Sequence, residues 1–152
     1  MTALDVGPGM GFFTLPMARL VGNSGKVIAV DLQEKMIGSL RNRARKAGLE
    51  ARIETRICSA SSLEIDDLVG KIDFALAFAV LHELPDVQTA LRSIAGSLAQ
   101  HGHLLIAEPS GHVSEAEFRE TLAIAKAAGL FENSVPSIRR SRTVLLSAGP
   151  AR

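Results

Sequence analysis

Short apolar runs alternate with helix-spaced stretches along the whole chain, and that alternation constrains the fold more than any other feature. Ala3–Val6, Lys26–Asp31 (KVIAVD), Ala51–Ile57, Ile72–Ala79 (IDFALAFA), His103–Ala107 and Arg142–Ser147 have the length and the apolar or β-branched content of strands. Between them, Phe12–Val21, Gln33–Ala47, Asp86–Leu98 and Ser114–Ala128 repeat apolar residues at helical spacing, with Val87, Leu91, Ile94 and Leu98 on one face. Pro16 falls near the first turn of its helix, where a missing N–H is tolerated. Ser114-x-x-Glu117 is a capping box, and Gly48 and Gly129 close two helices. The order β-α-β-α-β-loop-β-α-β-α-(β)-β predicts an α/β fold: a doubly wound, mostly parallel sheet with helices on both faces. On such a sheet a ligand lies beyond the carboxyl ends of the strands, where the strand order reverses.

The first strand runs into glycines on alternate positions, Asp5-x-Gly7-Pro8-Gly9-x-Gly11. Glycine permits a positive φ and lets a ligand approach the backbone, and the helix that follows offers free N–H groups. A dinucleotide fingerprint G-x-G-x-x-G would need a third glycine where Phe12 stands. Asp31 closes the second strand 20 residues after Gly11. It reads either as a carboxylate accepting both hydroxyls of a ribose or as the N-cap of the next helix.

Bulk properties narrow the function further. The chain has 152 residues, 47% hydrophobic and 22% charged, which fits one globular domain with no linker or repeat. A net charge of +1 argues against a nucleic-acid or anionic-membrane partner. Trp and Tyr are absent, which weakens base stacking and aromatic cages. Cys58 is the only cysteine, so no disulfide framework is expected, and a reducing cytoplasm is the natural setting. No apolar run is long enough to span a bilayer, and no signal peptide is evident.

The segments LDVGPGMGFFTLPMA and GKVIAVDLQEKMI resemble motif I and the acidic strand end of class I S-adenosylmethionine-dependent methyltransferases. The small-molecule enzymes similar to ubiquinone/menaquinone methyltransferases match best. The resemblance continues through FAVLHELPD, LLIAEP and VSEAEFRETLAIAKAAGL. It implies a Rossmann-like sheet with an antiparallel last strand, S-adenosylmethionine as cofactor with S-adenosylhomocysteine as product, and a small-molecule acceptor. By position, Gly7, Pro8, Gly9 and Gly11 would line the methionine part, with Asp5 close to its amino group. Asp31 would hold the ribose hydroxyls and Leu32 would pack on the adenine. Ser59-Ala60 stand where the family usually has an acidic residue for the adenine amino group, and Phe78-Ala79 would line the cofactor after the fourth strand. The family also places helices ahead of the first strand. The expectation is therefore a single methyltransferase-like domain over 1–152, amino-truncated relative to a longer enzyme.

Direct displacement at a sulfonium leaves the protein to align the reactants and to take a proton where the acceptor has one. His82, Glu83, Glu108 and His112 lie at the ends of the fourth and fifth strands. His82 and Glu108 are the expected catalytic residues, set against a turn histidine for His82 and a solvated turn residue for Glu83. The four come from two loops without compact ligand spacing, so no metal site is expected. Cys58 reads as a buried filler. The competing readings are a non-catalytic or truncated cofactor-binding domain and, weakened by Phe12, a nicotinamide-dependent oxidoreductase. A homodimer through an uncovered ligand edge or an outer helix is compatible with the sequence, but no feature demands it.

Overall fold

Parallel strands leave no room for tight hairpins, so each must be followed by a crossover that returns the chain to the same end of the sheet. The computed structural model, which describes residues 1–149, shows that pattern. Among the described residues, the strands are β1 (Thr2–Val6), β2 (Lys26–Asp31), β3 (Ile53–Ile57), β4 (Ile72–Phe78), β5 (Leu98–Pro109), β6 (Leu130–Ser134) and β7 (Ser141–Ala148). The helices are α1 (Thr14–Leu20), α2 (Glu34–Lys46), α3 (Val87–Ser97) and α4 (Glu115–Ala127). One sheet runs in the order β3-β2-β1-β4-β5-β7-β6. β1 to β5 are parallel, whereas β7 lies antiparallel between β5 and β6. The order reverses between β1 and β4, so the ends of those two strands flank the crevice.

The central strands are buried on both faces. On one face Ala3 and Val27 pack with Ala18 of α1 and with Leu49 just past α2. On the other, Leu4, Ile28, Ala75 and Leu104 join Leu91 and Ile94 of α3 and Phe118 of α4. The doubly wound sheet and its antiparallel last strand are therefore as expected.

Element ends differ in places. α1 begins at Thr14, because residues 8–13 wind through turns that carry Phe12 out to 78% exposure. Pro16 then sits in the first helical turn, where no N–H is missed. α3 stops at Ser97, and β5 begins at Leu98, well before His103. Leu98 pairs with Ile72 and His103 with Phe74, so the register shifts between them. Gly102 allows that bulge: a Cβ there would lie 2.6 Å from the Ile72 carbonyl oxygen. The optional strand of the sequence reading is present as the edge strand β6.

Candidate active site

The loop after β1 is shaped by what its glycines touch. Gly7 has φ +72°, its N–H donates to the Val30 carbonyl at 2.9 Å, and a Cβ would lie 2.4 Å from Val80 Cγ2. Gly11 has φ +96° and fits against Leu40 of α2, where a Cβ would approach to 2.5 Å. Gly9, at φ +57°, meets nothing within 4 Å and opens onto solvent space. Two of these glycines thus pack the loop onto its neighbours, and the middle one leaves open space in front of its Cα.

Asp31 stands opposite. Its Oδ2 accepts the Gly9 N–H at 3.2 Å and its Oδ1 accepts the Gln33 N–H at 2.9 Å. Gln33 is itself the N-cap of α2, so Asp31 braces the residue that starts the helix and is not its cap. A carboxylate has about four acceptor positions, so the two backbone bonds leave others for ligand hydroxyls.

These groups line one cleft, open to solvent, with a volume of about 180 Å³. Its wall brings together Gly7, Gly9, Asp31, Leu32 and Ala79 of the expected residues. Met36, Cys58, Val80 and Glu83 also line it. Glu83 was among the four candidates at the strand ends, set against a solvated turn residue, whereas Met36 carried no signal beyond its place in the first turn of α2. Ser59 and Ala60 line a smaller recess that shares Leu63 and Leu84 with the cleft. Phe78 turns its ring onto Phe13, with centroids 4.5 Å apart, and Pro8 is buried and does not line the cleft. Ala79 reaches the wall by adopting φ +54°, held by its N–H on the Ala107 carbonyl at 2.7 Å. Burial first, and then the Asp31 charge, pushes the Cys58 thiol up from its ordinary value, consistent with an apolar filler.

Asp5 lies behind the loop, 2% exposed, and takes the Thr14 hydroxyl at 2.6 Å. Desolvation pushes its carboxyl up to about 6; the Thr14 bond opposes that shift and the Asp31 charge adds to it. Asp5 is therefore buried behind the loop and is not among the residues that line the cleft.

Across the crevice, β4 ends in a 3-10 turn at Leu81–Glu83, which a side chain from β5 holds in place. Glu108 is 1% exposed. Its Oε1 accepts the Leu81 N–H at 2.9 Å and its Oε2 is hydrogen-bonded to His82 Nδ1. The His82 side chain is 24% exposed, and its Nε2 lies 3.8 Å from Oε1 of Glu83. His112 lies nearly parallel to it, with ring centroids 6.3 Å apart. The two expected catalytic residues are thus a pair. Among the described residues, no group of three or more His, Cys, Asp or Glu side chains has the arrangement of a metal site.

S-adenosylmethionine fits this donor set. The open Gly9 backbone admits a ligand chain, Asp31 keeps acceptors for a ribose, and Leu32, 40% exposed, gives an apolar surface for a base. The wider comparisons agree. A family described as a methyltransferase domain matches residues 1–137. The ubiquinone/menaquinone biosynthesis C-methyltransferase UbiE of Escherichia coli is 32% identical over 114 residues, 75% of this chain and 45% of that enzyme. The chain thus spans under half the length of the curated relatives it matches. An S-adenosylmethionine-dependent methyltransferase from Aquifex aeolicus superposes with a TM-score of 0.85 at 24% identity, over 97% of this chain and 82% of that one. The [4+2]-cyclase SpnF shares the fold at a TM-score of 0.74 and 23% identity, over 89% of this chain and 53% of that one. The glycine loop, the acidic end of β2 and the sheet order accord with the family match, and the chain belongs to the methyltransferase-domain family.

Proposed function

We propose that this chain catalyses methyl transfer from S-adenosylmethionine to a small-molecule acceptor. The observation that carries the reading is the cleft that Gly9 and Asp31 line side by side: a glycine with open space before it adjoins a carboxylate with acceptor capacity to spare. The loop around Gly7 and Gly9 would hold the amino-acid part, Asp31 the ribose, and Leu32 with the Ser59–Ala60 recess the base. Bound there, the cofactor supplies a methyl group whose bond to a positively charged sulfur breaks with both electrons remaining on sulfur. The protein then has to orient the acceptor, exclude water and manage the acceptor's proton. His82 and Glu108, hydrogen-bonded to each other at the ends of β4 and β5, would take on that last task. A small molecule is preferred to nucleic acid because a net charge of +1 gives little pull toward a polyanion.

The same fold occurs in a [4+2]-cyclase, so the fold alone does not fix the reaction, and the second reading is a cofactor-binding domain that transfers no methyl group. Calorimetric titration with S-adenosylmethionine, S-adenosylhomocysteine and NAD tests cofactor choice. Both adenosyl ligands should bind, NAD should not, and Asp31→Ala should weaken binding by about 100-fold or more, through loss of charge-assisted hydrogen bonds. Failure of the adenosyl ligands to bind would sink the proposal. Binding without transfer to any acceptor would favour the second reading.

A further inference from the structure

The Glu108–His82 pair does more than tie a turn to a strand. As a carboxylate, Glu108 offers only acceptors, and it uses them on two different donors: the Leu81 N–H at 2.9 Å and the Nδ1 side of the His82 ring. The backbone bond fixes the carboxylate, and the fixed carboxylate then selects the ring tautomer. A neutral imidazole facing it carries its proton on Nδ1, which leaves Nε2 bare. That nitrogen lies 3.8 Å from a carboxylate oxygen of Glu83, a residue on the wall of the cleft. From the histidine's other neighbour, the loop after β5, His112 lies alongside without displacing either contact. Arg142, paired in register with Glu108 on β7, directs its Nε to the Val113 carbonyl at 2.8 Å. No cation therefore competes for the Glu108 oxygens among the hydrogen bonds of the described residues.

We infer that Glu108 is a positioning residue that locks His82 with Nδ1 protonated, so that His82 Nε2 takes the proton from an acceptor whose nucleophilic group is protic. The role rests on the methyl-transfer reading above and deepens it by naming the acceptor class: a phenolic or enolic hydroxyl, or an amine, in preference to a thiol. As the acceptor's lone pair forms the bond to the methyl carbon, its proton moves to Nε2 and His82 becomes an imidazolium held by Glu108 and faced by Glu83. A thiol, already partly ionised near neutral pH, would not need such a base. A pair serving only as a brace would need the Leu81 bond but no particular tautomer.

The test begins with the cofactor-free protein. Two-bond 15N–1H correlation of its four histidines, with His82→Gln to assign the signal, reads the tautomer directly. His82 should carry its proton on Nδ1. Glu108→Gln can still accept the Leu81 N–H, but its amide would donate toward Nδ1, so the proton should move to Nε2. An Nε2–H tautomer in the wild type would overturn the proposal whether or not any variant folds, as would an unchanged tautomer in a folded Glu108→Gln. The second arm offers [methyl-14C]S-adenosylmethionine with catechol, aniline and thiophenol. Label should enter catechol or aniline and fall by about 100-fold or more in Glu108→Gln, while affinity for the cofactor stays within a few-fold. Label in thiophenol alone, or in none of the three, would overturn the acceptor class. Loss of cofactor binding in the wild type would instead mark failure of the methyl-transfer reading, with the tautomer result still standing.

Discussion

Asp5 on β1 and Glu108 at the end of β5 are both buried carboxylates, 2% and 1% exposed, on opposite sides of the crevice. They are solvated in different ways. Glu108 has a backbone N–H and an imidazole, one on each oxygen. Asp5 has the Thr14 hydroxyl, with the Asp31 charge nearby, and its carboxyl is pushed up to about 6. A charge buried with too few donors is costly, and such strain is tolerated where function needs a poised charge. The carboxylate on β1 is thus short of donors, while the one at the end of β5 has a partner on each oxygen.

That contrast breaks first at Glu108. Glu108→Ala leaves the Leu81 N–H without its partner and opens a void, so thermal unfolding should show a loss of about 3 kcal/mol, or a Tm lower by about 6–12 °C. A loss under about 1 kcal/mol would mean that Glu108 does not hold the turn.

Asp5 should show the opposite behaviour. The folded chain keeps the Asp5 proton up to about pH 6, whereas the unfolded chain releases it near 3.8. The folded state therefore binds more protons between those values, and stability falls as pH rises through them. Relative to Asp5→Asn, the wild type should lose up to about 3 kcal/mol between pH 4 and pH 7, read from urea unfolding at each pH. Parallel stability curves for the two proteins would show that Asp5 ionises without penalty.

The glycine loop sharpens the contrast at smaller scale. Gly7→Ala forces a Cβ onto Val80 at positive φ and should cost about 2–4 kcal/mol of stability. Gly9→Ala has space and only the φ to bear, so its cost should be about 1 kcal/mol, yet it should weaken S-adenosylmethionine because the Cβ enters the cleft. Equal stability effects would contradict the division of labour between the two glycines. The smallest effect is expected at Ser59. Ser59→Asp restores a carboxylate for the adenine amino group and should tighten binding by about 3–10-fold in calorimetry.

Much of the cofactor side could be read from the chain because its pieces are local. Strand, glycine loop and helix follow one another within residues 2–20, and the acid that ends β2 is set by strand length. Periodicity also gave the order of elements and hence the doubly wound sheet. It did not show that Ser59 and Ala60 would line a separate recess, or that Phe78 would turn toward Phe13. Those outcomes depend on how loops settle against one another, which no period encodes.

By itself, the sequence determined the alternation of strands and helices, the glycines that shape the loop, and the presence of Asp31 at the end of β2. Local backbone preference and the burial of apolar faces suffice for that. Only the tertiary structure decided that Glu108 meets His82. The two are 26 residues apart, and α3 lies between them. They meet because β4 and β5 pair with Phe78 beside Ala107, and because the 3-10 turn after β4 folds the imidazole back over the end of β5. Side-chain chemistry was written in the chain, but its partner was chosen by the register of the sheet.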